Sequence, residues 1–442
     1  MIMSFRKDFM WGAATASFQI EGAWNEDGKS LSIWDTFCEE PGKIEDGSDG
    51  KVACDHYHKY KEDVKLMADL GLKAYRFSIA WPRIIPDGSG KVNEKGLEFY
   101  SNLVDELLKY NITPFVTLYH WDLPYALQLK GGWLNPEISD MFEEYTRVVI
   151  KKLGDRVKHF ITFNEPSVFL GCGCLYGVHA PGLKSGTRDL LMMGHNVHLA
   201  HGKAVRAIRE LAPQSEVGIT LATMPRIPHG SMDAEAAYET YFSCHKEYFI
   251  WSDSYWADPI VFGKYPETLL KETEGLFPAF TDDDMKLISQ KIDFIGQNIY
   301  QGKFEEGWDR PRGTPHTEIG WDVFDEALEW GVKHFTKRYK LPIYITENGL
   351  SCHDWESLDG KVHDPNRIDF LHRYLRGLRK AAGEGCDVRG YFQWSFMDNF
   401  EWAKGYNPRF GMVFCDYNTL KRIPKDSAYW YKEVIESNGE NL

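Results

Sequence analysis

Two glutamates in this sequence stand where paired carboxylates could work together. Glu347 ends the run Tyr344-Ile345-Thr346-Glu347-Asn348-Gly349, and Glu165 lies in Thr162-Phe163-Asn164-Glu165-Pro166. In the first, β-branched and aromatic residues favour a strand, and Asn348-Gly349 is expected to turn the chain just past the carboxylate. Two carboxylates flanking a glycosidic bond can break it: a protonated one gives its proton to the leaving oxygen, and an ionised one meets the charge developing at the anomeric carbon. Arg76, in Ala74-Tyr75-Arg76-Phe77-Ser78, would keep Glu347 ionised if it lay beside it, because a nearby cation lowers a carboxyl pKa. An ordinary structural salt bridge accounts for an arginine equally well, and a lone Glu after a strand is most often a solvated charge.

What could bring them together is the order of elements. Strand-like runs are expected at 9–14, 74–78, 113–119, 158–163, 216–221, 292–297, 342–346 and 388–394. Between and after them come helical spacings at 54–70, 96–110, 138–153, 188–211, 234–251, 322–339, 368–382 and 428–435. Residues 24–51 lack periodicity and read as one long connection, a kind of segment that is often functional. Alternation of this kind implies a parallel sheet, and eight units imply closure into an α/β TIM barrel, (β/α)8. A doubly wound open sheet would need a phosphate-binding glycine turn after the first strand, and Trp11-Gly12-Ala13-Ala14 does not supply one. No linker or composition break divides the chain, so 1–442 reads as one domain with elaborated loops.

In such a barrel the reactive groups follow the strands' C-terminal ends. The residues there are Gln19, Arg76, His120 with Trp121, Asn164 with Glu165, Asn298 with Tyr300, Glu347, and Trp394 with Glu401 and Trp402 beyond it. Each has a packing or capping explanation singly; together at one rim they describe a polar, aromatic pocket. An aromatic content of 14% with 15 Trp suits core packing, and it also suits sugar rings, whose C–H faces lie against aromatic platforms.

Bulk properties narrow the partners. A net charge of −14 argues against nucleic acid. No apolar run reaches membrane-spanning length and no secretory signal opens the sequence, so no membrane partner and a cytoplasmic location are expected. Eight Cys with only Cys172-Gly173-Cys174 closely spaced give neither a redox pair nor a zinc framework. His195, His198 and His201 recur every three residues on an expected helix, and His56 and His58 flank Tyr57. Helical histidines at that spacing could hold zinc, yet no H-E-x-x-H motif accompanies them, so structural or solvated histidines and no metal are the expectation.

The two glutamate motifs resemble the active-site motifs of glycoside hydrolase family 1. Residues 9–21, 75–83, 118–124 and 391–414 resemble that family's segments in the same order, so the likeness covers nearly the whole chain. It implies a retaining β-glucosidase acting on terminal non-reducing β-glucosyl residues of small β-glucosides and short cello-oligosaccharides in cellulose breakdown, with tolerance of β-galactosyl and β-fucosyl residues. The alternatives are a predominantly transglycosylating enzyme and a non-catalytic sugar-binding relative. Glu347 would be the nucleophile and Glu165 the acid and later base, with carboxyls about 5–5.5 Å apart and a covalent glycosyl-enzyme intermediate. Gln19, His120, Asn164 and Glu401 would hydrogen-bond the sugar, helped by Trp121 and Trp402, with Trp394 beneath the ring. Asn298 would approach the 2-hydroxyl, and Tyr300 and Arg76 would support the nucleophile. No cofactor is implied.

Glu401 favours an uncharged sugar, since a carboxylate accepts from hydroxyls and repels a 6-phosphate. Departures from the family pattern fall on the leaving-group side: Ser167 where many relatives have Trp, and Ala222 where many have Asn. Cys172, His179 and Trp321 are expected at that entrance.

Overall fold

Eight parallel strands pair in sequence order and close on themselves: β1 (Met10–Ala14), β2 (Ala74–Ser78), β3 (Thr113–Tyr119), β4 (His159–Asn164), β5 (Glu216–Ala222), β6 (Phe294–Asn298), β7 (Ile343–Asn348) and β8 (Val388–Trp394). The computed structural model describes residues 5–304 and 312–442. β8 returns to β1, and the seam pairs Met10 with Gly390 through Ala14 with Trp394. Around the barrel run α1 (His56–Asp69), α2 (Glu94–Lys109), α3 (Ile138–Leu153), α4 (Thr187–Leu211), α5 (Asp253–Phe262), α6 (Ala327–Tyr339), α7 (Pro365–Gly383) and α8 (Asp426–Glu436).

The strands read as continuous apolar runs because both faces are covered, one by the barrel interior and one by helices. The helices alternate: α2 buries Leu97, Tyr100, Leu103, Val104 and Leu107 at helical spacing and leaves its other face to water. Inside the barrel, Phe115, Phe294, Tyr344 and Phe392 fill the interior against Ala14, Ala74 and Ile161. Glycines make the room: a Cβ at Gly12 would stand 2.6 Å from the Phe392 ring, and one at Gly218 2.5 Å from Phe294. Truncating one such ring to Ala costs about 3–5 kcal/mol. This aromatic plug is the floor on which the strand-end residues stand.

Several boundaries differ from the sequence reading. The expected helix over 234–251 stops at Tyr241, because the hydroxyls of Ser254 and Ser252 donate to the carbonyls of Phe242 and Ser243 where helical N–H groups would otherwise bond. α5 follows, unforeseen: it is apolar nearly all round and carries Pro259, so it shows no period. α6 begins at Ala327, not 322. The 24–51 connection contains a helix, Ile33–Glu39. β7 runs to Asn348, so Asn348 is a strand residue, donating to the Ile299 carbonyl and accepting from Tyr391; it does not form a turn. Gly349 is needed for close approach, since a Cβ there would lie 1.8 Å from the Trp394 carbonyl oxygen.

Beyond β8 the loop over 395–412 is fastened by buried charges. Asp398 accepts from Arg409 and Lys425, Lys425 also reaches Asp354, and Arg367 pairs with Asp354 and Asp364. A short antiparallel hairpin, β9 (Val413–Cys415) and β10 (Arg422–Pro424), lies over this network. Removing one partner of such a buried set costs about 3–5 kcal/mol, so the loop that carries Glu401 is held firmly.

Candidate active site

At the C-terminal ends of the strands, Arg76 is the hub. Its side chain is buried; Nη1 donates to Glu347 Oε1 at 2.5 Å and to the Thr346 carbonyl at 3.2 Å, Nη2 donates to Asn164 Oδ1 at 2.6 Å, and Nε reaches Thr117 Oγ1 at 3.2 Å. One guanidinium on β2 thus ties together β3, β4 and β7. The Tyr300 hydroxyl donates to the other Glu347 oxygen at 2.8 Å. Both oxygens of Glu347 therefore meet donors, one of them a cation.

Glu165 is treated differently. Asn298 Nδ2 donates to its Oε1 at 2.7 Å and to Asn164 Oδ1 at 3.1 Å, while Asn298 Oδ1 accepts from Thr346. Among the described residues no cation pairs directly with Glu165. Burial, reinforced by the negative charge of Glu347, pushes its carboxyl up to about 8, against the pull of Asn298 and Arg76. Burial also raises Glu347, but Arg76, Tyr300 and Asn298 all oppose it. The first proton on the pair therefore belongs to Glu165, and the negative charge to Glu347.

Around this pair stand the other residues expected at the rim. His120 is buried, and burial together with Arg76 holds its imidazole well below the usual range, so it is neutral. Its Nε2 faces the Asn164 amide at 3.0 Å; because Asn164 Oδ1 already accepts from Arg76 and Asn298, Nδ2 donates to Nε2 and the His120 proton sits on Nδ1. Among the described residues that Nδ1 has no partner, and neither has Gln19 Oε1; the Gln19 amide donates instead to the Phe400 carbonyl and Glu401. Glu401 also accepts from Asn399 at 3.0 Å, and burial pushes it up to about 8. The His120 ring lies 5.9 Å from that of Trp394 and 6.0 Å from that of Trp402. The Trp121 ring lies 4.6 Å from that of Trp402, tilted by 33°, but its indole N–H is spent on the Asn164 carbonyl, so it contributes a wall and not a free donor.

Three of these residues have backbones in the left-handed region: Glu165 (φ 50°), Trp121 (φ 76°) and Trp402 (φ 51°). Such a conformation costs a side-chain-bearing residue about 1–3 kcal/mol and tends to gather where geometry serves a site. A pocket with one carboxylate held ionised, one held protonated, and unpaired donors and acceptors between aromatic walls is suited to acetal cleavage.

The model of "Glycosyl hydrolase family 1" matches residues 1–440. The chain belongs to that family.

A 1,4-beta-D-glucan glucohydrolase of Thermotoga neapolitana is 46% identical, the match covering 98% of this chain and 99% of the relative. The bifunctional beta-D-glucosidase/beta-D-fucosidase of Bifidobacterium breve is 41% identical over 98% of this chain and 99% of its own. A solved structure of the beta-glucosidase from Thermotoga maritima, in complex with a substituted glucoimidazole, superposes with a TM-score of 0.92 at 46% identity, covering 99% of both chains.

Within this family 1 barrel, Ser167 lies in the first turn of the short helix Pro166–Leu170, and Ala222 ends β5 in register with Asn298. Cys172 lies in the π-helical turn Gly171–Leu175 that follows and senses the Glu165 charge; burial pushes its thiol up to about 11. Trp321 packs 5.1 Å from Tyr300. His179 rests against Trp34 and Trp121, at 5.4 and 5.8 Å, and burial lowers it to about 4.

Trp34 was not foreseen. It sits on the helix Ile33–Glu39, buried 4.6 Å from Trp402, with its indole N–H unpartnered. The signal was Ser32-Ile33-Trp34-Asp35, a capping box with both reciprocal bonds made.

The histidine triplet faces inward. His195 bonds Tyr265, His198 the Trp256 carbonyl, and His201 Thr162. Burial lowers all three, so they serve as neutral packing groups. His56 pairs with Asp63, and His58 with Asp55 and Glu26.

The raised Glu165 carboxyl has a stability consequence. Its folded value of about 8 lies above the ordinary 4.5. The stabilisation is therefore complete below 4.5 and is lost as pH rises through about 8, since the unfolded chain ionises freely and the fold must carry a buried charge. Glu165→Gln cannot ionise. Thermal melts should show it more stable than the parent at pH ~9 and nearly equal at pH ~5; the same gap at both pH values would refute this.

Proposed function

We propose that this protein is a retaining β-glucosidase that removes terminal β-glucosyl residues from the non-reducing ends of small β-glucosides and short cello-oligosaccharides. One observation carries the reading: the unequal setting of the two buried glutamates, Glu347 clamped by Arg76 and Tyr300, Glu165 without a paired cation among the described residues and raised to about 8.

Glu347 attacks the anomeric carbon as Glu165 gives its proton to the leaving oxygen, breaking the glycosidic bond and leaving a glucosyl ester on Glu347. Glu165, now ionised, takes a proton from water. The water oxygen so deprotonated attacks the anomeric carbon from the vacated face, breaking its bond to Glu347 and releasing the β-sugar and the Glu347 carboxylate. Two inversions give retention.

Gln19 Oε1 and His120 Nδ1–H offer an acceptor and a donor to sugar hydroxyls, and Asn164 and Glu401 join them. Trp394 underlies the ring, Trp402 and Trp121 wall it, and Asn298 stands by the 2-hydroxyl. Cys172, His179 and Trp321 line the leaving-group side. The protein acts as one domain over 1–442, needs no cofactor, and works in the cytoplasm on fragments from cellulose breakdown. Eight cysteines, all unbridged, support a reducing compartment. The Bifidobacterium breve relative's double name supports turnover of β-fucosides as well, and β-galactosides are included.

Turnover of a panel of aryl β-glycosides and cello-oligosaccharides tests this, with β-glucoside hydrolysis expected. No hydrolysis of any aryl β-glucoside would overturn it. A second arm tests the uncharged sugar. Glu401, raised to about 8, carries little charge at neutral pH in the free pocket, so exclusion of phosphate rests as much on its partners being the amides of Gln19 and Asn399 and not Lys or Arg. An aryl β-glucoside 6-phosphate should show kcat/KM at least about 100-fold below that of the unphosphorylated sugar; equal values would contradict the assignment.

A further inference from the structure

We propose that Tyr176 and Trp251 form an outer platform that stacks a leaving-side sugar of a β-linked oligosaccharide, beyond the sugar next to the scissile bond. This rests on the β-glucosidase reading above. Helix Pro166–Leu170 runs into the π-helical turn Gly171–Leu175, so the segment leaving Glu165 climbs away from it without a break. At a helical rise of about 1.5 Å per residue, Tyr176 stands roughly 15 Å along the segment.

Trp251 closes the turn Phe249–Trp251 in the connection after β5, the strand beside β4, so both rings come from neighbouring loops at the rim that bears Glu165. It lies against Gly171, where a Cβ would stand 2.4 Å from its ring. The Tyr176 ring stacks on it with centroids 6.0 Å apart and planes 17° from parallel. Both remain in water: Tyr176 is 53% exposed and Trp251 36%, and Val178, two residues on from Tyr176, is 52% exposed.

The same segment folds back into the pocket. The Cys172 carbonyl accepts from the N–H groups of Val178 and His179, and the His179 ring rests on Trp121. One stretch of backbone therefore joins His179, at the wall of the pocket, to the exposed pair. Glu165 delivers its proton to the leaving oxygen, so the side of the pocket from which this segment climbs is the side the leaving group occupies. A neutral glucosyl ring, with C–H faces between its hydroxyls, is the occupant that a flat uncharged aromatic surface there would recognise.

The test compares kcat/KM for cellobiose, cellotriose, cellotetraose and an aryl β-glucoside in the parent, Tyr176→Ala, Tyr176→Phe and Trp251→Ala. The parent should favour the longer chains. Tyr176→Ala should lose about threefold to tenfold on cellotetraose and nothing on the aryl glucoside; Tyr176→Phe should keep the parent's ratio, and Trp251→Ala should lose at least as much as Tyr176→Ala. Because Tyr176 is exposed, its variant decides the matter even if Trp251→Ala does not fold. An unchanged ratio in Tyr176→Ala, or a parent with no preference for length, overturns the platform while the β-glucosidase reading stands. A parent inactive on the aryl glucoside overturns both.

Discussion

Glu347→Gly should lower hydrolysis of an aryl β-glucoside by at least about 10⁴-fold, the scale of loss when a covalent nucleophile is removed, without unfolding the protein. Arg76 keeps its bonds to Asn164, the Thr346 carbonyl and Thr117, so the hub loses one partner of four. The variant should melt earlier than the parent, since a buried cation has lost its carboxylate, yet keep its circular dichroism spectrum. A small anion can fill the space beside Arg76 and Tyr300. Azide entering there displaces the leaving group of an activated β-glucoside, such as dinitrophenolate, in one step, so the product of rescue is the α-glucosyl azide. Near-parent turnover would remove Glu347 from the mechanism.

Glu165→Ala gives the complementary result. Loss should be about 10²–10⁴-fold for substrates whose leaving group needs a proton, the range for general acid catalysis, and far smaller for the first step with a good leaving group such as dinitrophenolate. The glucosyl ester on Glu347 then accumulates, and azide attacking it gives the β-glucosyl azide, the opposite stereochemistry to the Glu347→Gly product. The pH profile supplies a second readout. In the parent, Glu165 must be protonated, so kcat/KM should fall as pH rises through about 8, the value to which burial and Glu347 raise it; in the variant that limb should vanish. A parent and variant with the same alkaline limb would assign it to another group.

Much of this arrangement was legible in the sequence. Parallel strands covered on both faces are written as β-branched and aromatic runs, so all eight could be marked, and the glutamates could be found because each ends such a run. Boundaries were harder. Ser252 and Ser254 end a helix from a distance in sequence, and α5, apolar nearly all round, has no period to read. The role of Gly349 is set by the carbonyl of Trp394, a contact across two strands that local turn chemistry does not express. Trp34 sits in a segment without hydrophobic periodicity, where only its capping box marks a helix. The expected lowering of Glu347 by Arg76 is present as a pull, but burial, which a sequence does not display, runs against it.

The seam between β1 and β8 bears on when a newly made molecule first becomes competent. Ala14 pairs with Trp394 there, and just beyond it Gln19 reaches the Phe400 carbonyl and Glu401. The proposed sugar pocket is thus shared between the segments after the first strand and after the last, while Glu165 directly follows the fourth and Glu347 lies on the seventh. During synthesis the early strands emerge and can begin to associate first, but nothing they form alone can hold a sugar against a nucleophile. Activity waits for β8 to leave the ribosome and zip onto β1, so a truncated or stalled chain is silent, and the appearance of turnover times the closing of the barrel.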